Sequence, residues 1–178
     1  MEEKFDVLND LGEFTGEIAT REECHKNGLW HRAVYAFIID NKGNILLQKR
    51  SSNKKLWPNM WDVTVGGHVD AGEFGRQALI REVKEELGVE IEDNDIKYLI
   101  GSTSINEQGN IINKHYNECY LITKNIDISD IKIQKEEVSD VRYFSKDELL
   151  KTISNHYDGL TEKTGPWNFL VKILERYV

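Results

Sequence analysis

Proline and cysteine are scarce in this chain, with two of each in 178 residues. Two thiols, Cys24 and Cys119, are too few for a disulfide scaffold or for a zinc site built from four thiolates. They fit reduced side chains in a cytosolic protein. No uninterrupted apolar run approaches the ~18 residues of a membrane span, and the opening MEEKFDVLND is charged. The expectation is therefore a cytoplasmic protein without an export signal or membrane contact. Basic charge is also short: 23 Lys and Arg against 31 Asp and Glu leave a formal net charge of −8. That balance argues against nonspecific nucleic-acid binding, which needs a basic face to displace counterions. A small anionic substrate must then be met by metal and a few local cations. Repeats, low-complexity tracts and linkers are missing as well.

What is present is enough apolar material, 39% of residues, for one core of ordinary size. The expected organisation is a single domain over residues 1–178, with 1–30 as a strand and helix extension packed on it. Short strands are predicted at 4–8 and 13–19 around the turn Asn9 to Gly12. Thr20 and Glu23 form a capping box for a short helix ending near Gly28. Alternation predicts a strand over 32–39, a turn at Asn41 to Asn44 and a strand over 45–50. Further strands are predicted at 62–65, 96–104, 115–122 and 139–144. Ser145 and Glu148 form a second capping box for a helix to about Ser154, and Pro166 sits near the start of a last helix. On that helix Phe169, Leu170, Ile173, Leu174 and Tyr177 make a packing face. Sheet between helices is the layered result such an order implies.

The stretch GGHVDAGEFGRQALIREVKEELGVEI, residues 66–91, contains a local oddity. Ile80, Val83 and Leu87 recur at helical spacing, and Gly88 is a natural stop. Glu82, Glu85 and Glu86 fall within roughly a 100° arc beside that stripe. Like charges at such spacing repel by roughly 0.2–0.5 kcal/mol per pair, and late acids face the negative end of the helix dipole. A solvated acidic face is the ordinary explanation of such a run. A bound hard cation would reverse both penalties, since Mg²⁺ or Mn²⁺ takes carboxylate oxygens.

The rest of the stretch decides between these. It reads Gly67, five residues, Glu73, seven residues, Arg81-Glu82-Val83, one residue, Glu85-Glu86, one residue, Gly88-Val89. By average residue frequencies a chance match is on the order of one in a million. This pattern is identified as the Nudix box. The resemblance implies an α/β/α sandwich with a mixed β-sheet and a loop-helix whose Glu82, Glu85 and Glu86 hold divalent metal against a diphosphate. It further implies that Glu73 and Arg81 pair to fix the loop, that Gly67 and Gly88 are architectural, and that a backbone carbonyl near Gly66 completes the metal shell.

A second resemblance covers most of the chain. GLWHRAVYAFIIDNKGNILLQKRSSNKKLWPNMWDVTVGGHVDAGE resembles type I isopentenyl diphosphate isomerases and the Nudix hydrolases related to them. It implies that Arg50 and Lys54 grip the diphosphate and that His31 and His68 help hold a metal beside it, the four together forming the substrate-binding set. It implies that Glu118 does metal and proton chemistry. Moving a double bond needs a proton donor and acceptor on opposite faces, and the isomerases use a cysteine where this chain has Gly66, which has no titratable group. Tyr116 replaces a carboxylate of that family. Cys24 replaces a histidine, with His25 next door. The isomerase metal set is thus incomplete, whereas the Nudix acids are complete, and a shared fold does not fix the chemistry.

The reading is a Mg²⁺- or Mn²⁺-dependent pyrophosphohydrolase acting on a nucleoside di- or triphosphate, or on a nucleoside diphosphate linked to another moiety, as a monomer or homodimer. Glu82, Glu85, Glu86 and Glu118 are its catalytic residues. Trp30, Tyr35, Trp57, Trp61 and Trp167 are candidates to stack on a base. An isopentenyl diphosphate isomerase and a noncatalytic nucleotide-sensing module are the alternatives.

Overall fold

The computed structural model describes residues 2–155, 159–161 and 164–177. Among them the chain runs β1 (Lys4–Leu8), β2 (Phe14–Thr20), α1 (Arg21–Asn27), β3 (Trp30–Ile39), β4 (Ile45–Arg50), β5 (Trp61–Asp62), β6 (Val65–His68), α2 (Gly75–Leu87), β7 (Ile96–Gln108), β8 (Ile111–Thr123), β9 (Val138–Phe144), α3 (Lys146–Ser154) and α4 (Thr164–Tyr177). The nine strands hydrogen-bond along the path β2-β1-β3-β4-β5, with β6 and β8 also on β3, β7 on β8 and β9 on β4. The class is α/β, as the order of elements implied.

The chain folds into two compact units. The first comprises Met1–Tyr35, Gly66–Glu82 and Lys97–Tyr120. Its small apolar cluster is Phe5, Val7, Ala19 and Cys24, with Leu29 against it. The Thr20 box is formed as expected: Thr20 Oγ1 accepts from the Glu23 N–H at 3.2 Å, and the Glu23 carboxylate accepts from the Thr20 N–H at 2.8 Å. Burial pushes the Cys24 thiol up to about 11 and Cys119 up to about 12, so both are inert.

The second unit comprises Ala36–Val65, Val83–Ile96 and Leu121–Val178. Phe37, Ile38, Ile45, Leu46, Leu47, Val83, Leu87, Ile122, Leu149, Trp167 and Leu170 are fully buried in it. Each such side chain contributes about 1.5–3 kcal/mol of burial. β4 is its spine, pairing antiparallel with β9 from Ile45↔Phe144 to Arg50↔Val138 and with β5 at Gln48↔Asp62.

Several expectations change in detail. The strand predicted at 62–65 is two strands, because Thr64 leaves the ladder to donate its hydroxyl to the Leu46 carbonyl and accept from the Ile38 N–H at 2.9 Å. The strands predicted at 96–104 and 115–122 extend to 96–108 and 111–123. Ser145 caps α3 by accepting from the Glu148 N–H at 3.2 Å, while the Glu148 carboxylate pairs with Arg142 at 3.0 Å. On α4, Trp167, Leu170, Ile173 and Leu174 are buried and Phe169 is half-buried; the Tyr177 side chain lies outside the described residues.

Candidate active site

In the first unit, the loop from β6 into α2 is closed by one guanidinium. Arg81 donates from Nε to Glu73 Oε1 at 3.1 Å and from Nη2 to Glu73 Oε2 at 2.9 Å, a two-pronged pair that fixes both groups. Its Nη2 also donates to the His68 carbonyl at 3.0 Å, and its Nη1 to Glu82 Oε1 at 2.7 Å. Hydrogen bonding to Glu73 raises the Arg81 pKa further above its ordinary value. Glu73 Oε2 closes the loop on itself by accepting from the Asp70 N–H at 3.1 Å. Arg81 and Glu73 are thus paired across the turn into α2. Arg81→Lys keeps the charge but loses the fork, so it should cost about 1–2 kcal/mol, discounted because both side chains are partly exposed. Urea unfolding measures this, and a loss below ~0.3 kcal/mol would mean the fork is idle.

Gly67 explains itself by contact. A Cβ built there would lie 2.1 Å from Glu82 Cδ, so the Glu82 carboxyl occupies the space that any side chain would fill. Gly66, beside it in β6, is exposed. Gly88 ends α2 in the left-handed conformation, its N–H donating to the Lys84 carbonyl at 3.0 Å. The buried side of the helix differs from expectation: Ala78, Leu79, Val83 and Leu87 are buried, and Ile80 is half-buried.

The three acids of α2 meet three environments. Glu82 is half-buried under Arg81 and Glu85 is exposed. Glu86, in the second unit, is 5% exposed and accepts from Gln48 Nε2 at 3.1 Å. Gln48 was not singled out by the sequence; its place opposite Glu86 depends on the β4 register.

Glu118 lies on β8 in the first unit. Its Oε2 accepts from the Tyr120 hydroxyl at 2.5 Å, so the acid and aromatic that share a strand face are bonded. Burial, then Glu118, raises the Tyr120 pKa. Arg32 lies 3.9 Å from Glu118 Oε1 and donates to the Glu73 carbonyl at 2.6 Å, which ties the strand to the loop that Arg81 closes. A Cβ at Gly75 would lie 2.3 Å from Glu118 Oε2. Arg32, Ser102, Thr103, Tyr116, Asn117 and Glu118 line an open cleft. Arg32 and Gly75 escaped the sequence reading, since neither carries a motif outside its tertiary setting.

Arg50 and Lys54 are engaged within the second unit. Arg50 donates from Nη1 to the buried Asp62 at 2.9 Å and from Nε to the Leu56 carbonyl at 3.0 Å, and Lys54 pairs with Glu137. Among the aromatic candidates Trp167 is fully buried and donates Nε1–H to the Thr161 carbonyl at 2.7 Å, which removes it from any ligand. Trp30 donates to Asp10 at 2.8 Å and leans on Tyr116, while Trp61 packs edge-on against Phe144. Trp57 is half-buried with φ of 46°, and Tyr35 is half-buried and hydrogen-bonded to Cys119 and Ser102.

His31 and His68 come together, and two further histidines join them. The ligand atoms of His25, His31, His68 and His115 all lie within 4.8 Å of one another. Phe5 stacks on His31 at 5.0 Å and on His68 at 4.7 Å between ring centroids. Burial pushes His31 down to about 4 and holds His68 and His25 below the usual histidine range, so the three are neutral at pH 7. His25, set aside in the sequence as displaced by one position, reaches the cluster from the last turn of α1. His115 carried no sequence signal beyond its residue type.

A NUDIX domain family model matches residues 29–163. The chain is 38% identical over 148 residues to the Listeria monocytogenes Nudix hydrolase lmo0368, covering 83% of this chain and 82% of that protein. It is 37% identical over 158 residues to Nudix hydrolase 3 of Arabidopsis thaliana, where 86% of this chain spans 20% of the longer protein. The solved structure of DR0079 from Deinococcus radiodurans matches with a TM-score of 0.72 at 24% identity, over 99% of this chain and 100% of that one, a likeness of fold.

Proposed function

The chain is a Nudix hydrolase by its membership of the NUDIX domain family, and from that premise we propose that it cleaves a diphosphate linkage with divalent metal. The substrate class is a nucleoside di- or triphosphate, or a nucleoside diphosphate joined to another moiety. The observation that carries this reading is the seating of Glu82. Its carboxyl fills the space above Gly67 and is held by Arg81, an arrangement that a solvated acidic face has no need of.

Glu82, Glu85 and Glu86 are the oxygen donors for Mg²⁺ or Mn²⁺, with the Gly66 carbonyl as a backbone contributor. The donor set fits a hard cation, since all three side chains offer carboxylate oxygens. When bound, such an ion neutralises charge on phosphate oxygens and acidifies an attacking water. The remaining work falls to the chain. Glu118, oriented by Tyr120, accepts the proton of the attacking water. Lys54 exchanges Glu137 for phosphate, and Arg50, held by Asp62 and Leu56, presents a fixed cation. Phosphoryl chemistry asks a protein mainly for alignment and electrostatics, so this small set suffices.

Hydrolysis is favoured over double-bond isomerisation by Gly66, which offers no proton donor, and by Tyr116, whose hydroxyl donates to the Asp10 carbonyl at 2.7 Å. A panel of nucleoside di- and triphosphates and sugar- or nucleoside-linked diphosphates, each with Mg²⁺ and Mn²⁺, tests the reading. Metal-dependent cleavage of at least one compound is expected. Proton exchange into isopentenyl diphosphate, or tight nucleotide binding with no cleavage anywhere in the panel, would overturn it in favour of an isomerase or a sensor.

A further inference from the structure

Tyr116, which stands where the isomerases carry a carboxylate, removes an acid from the first unit and supplies an aromatic ring. That ring is held from three sides. Its hydroxyl donates to the Asp10 carbonyl at 2.7 Å, and the Trp30 ring lies tilted against it at 4.9 Å between centroids. A Cβ at Gly12 would come within 2.9–3.3 Å of three of its ring atoms, so the turn at Gly12 packs flush on it. Tyr116 also lines an open cleft of about 450 Å³ with Arg32, Ser102, Thr103, Asn117 and Glu118, all in the first unit. Small-molecule pockets run from ~300 to ~1,000 Å³, so the cleft has room for one planar group and its substituents.

The same cleft holds a guanidinium with donors to spare. The Arg32 side chain is 16% exposed, and a guanidinium offers about five N–H donors. Its Nη2 donates to the Glu73 carbonyl at 2.6 Å. Its Nε is buried with no hydrogen-bond partner among the described residues. The Asp6 and Glu118 carboxylates stand off at 3.7 and 3.9 Å, beyond hydrogen-bond reach. The Phe14 ring braces the group, its centroid 5.1 Å from Cζ. Buried donors are almost always satisfied, so the remaining N–H groups call for an acceptor from outside the chain. Two carboxylates already outweigh the one positive charge, so a further anion is repelled at this spot and a neutral acceptor fits it.

We infer that the cleft is a nucleobase subsite, in which the base stacks on Tyr116 and presents a ring nitrogen or carbonyl to Arg32. A nucleobase is neutral, planar and edged with acceptors, which matches the aromatic wall and the spare donors at once. Tyr116 and Glu118 stand two residues apart on β8, about 7 Å along the strand. With the reacting phosphate at Glu118, the ribose bridges that interval and the base reaches the ring. The inference rests on the proposed hydrolysis for the place of that phosphate, and it narrows the substrate to the nucleoside compounds of the proposed class. A diphosphate on an aliphatic group loses the stack and leaves Arg32 unsatisfied. Tyr116 was not among the five aromatics that the sequence offered for stacking; its place in the cleft, beside a guanidinium, singles it out.

The test is a calorimetric titration of the full-length protein, in Mg²⁺, with the 5′-monophosphates of adenosine, guanosine, cytidine and uridine, which have no diphosphate linkage to cleave. Ribose 5-phosphate is the control without a base. At least one nucleotide should bind at least ~10-fold more tightly than ribose 5-phosphate. For that nucleotide Tyr116→Leu should weaken binding by roughly 5–150-fold, the range for one lost base stack. Tyr116→Phe keeps the ring and loses only the bond to Asp10, so it should stay within about threefold of the wild type. Arg32→Gln should weaken nucleotide binding by roughly 10-fold or more and leave ribose 5-phosphate unchanged. Circular dichroism reports the fold of each variant. A wild type that binds no nucleotide, or binds all four no better than ribose 5-phosphate, overturns the subsite whether or not the variants fold. A folded Tyr116→Leu protein that binds like the wild type, or a Tyr116→Phe protein as weak as Tyr116→Leu, overturns it as well. Base-dependent binding with no cleavage in the diphosphate panel upholds the subsite and fails the reaction, whereas metal-dependent cleavage without base-dependent binding does the reverse.

Discussion

Glu86→Gln should lower Mg²⁺-dependent turnover by at least ~10²-fold while leaving the metal-free protein as stable as the wild type or more so. The two effects have opposite sign for one reason. Glu86 lies one turn beyond another acid on the same helix, so like-charge repulsion along α2 burdens the metal-free fold. Neutralising it removes that burden and keeps the contact that Gln48 makes. A bound cation turns the same charge into a ligand worth several kcal/mol to phosphoryl chemistry, and each 1.36 kcal/mol is about tenfold in rate. Melting curves with and without Mg²⁺ separate the terms. Wild type should gain stability with the ion by mass action, and the Glu86→Gln and Glu85→Gln proteins should gain less. Equal gains in all three, with turnover intact, would reduce the acids of α2 to a solvated face.

Glu118→Gln should lower turnover by roughly 10²–10⁴-fold, the range for loss of a general base, with the fold and diphosphate affinity retained. Glutamine keeps the size of the side chain and can still accept from Tyr120, so the orientation of the group survives and only its basicity is lost. Gly75→Ala provides an independent check. The added methyl would fall within 2.3–2.5 Å of all three Glu118 carboxyl atoms, so Glu118 must move while remaining a carboxylate. Both variants should lose turnover with KM little changed. If Glu118→Gln keeps more than about a third of wild-type turnover, the base lies elsewhere, with Glu85 or Glu86.

The parts legible in the sequence are those set by near neighbours. The Thr20 box, the Gly88 stop and the limits of β1, β4 and β9 appear within a residue of expectation, because caps, turns and alternation act over a few positions. The Arg81–Glu73 clamp was equally accessible, eight residues apart within one motif. Misreadings arose where a distant partner competed. Thr64 breaks the strand predicted at 62–65 because Leu46 and Ile38 offer it hydrogen bonds. Trp167, one of five aromatics open to a ligand role by composition, is committed to the core by burial that the sequence does not display.

The sequence by itself determined the family, the α/β class and the identity of the acidic helix, because the Nudix spacing and the periodicity of α2 are local patterns. Only the tertiary structure decided which acid of α2 is buried, that Arg50 and Lys54 already hold carboxylates, and that Glu118 sits against Gly75 and Tyr120. It alone gathered four histidines spread over ninety residues around one point. The physical reason is that helix spacing is fixed by bonds between residues four apart, whereas a cross-strand neighbour is fixed by register between segments whose separation along the chain carries no trace of their contact.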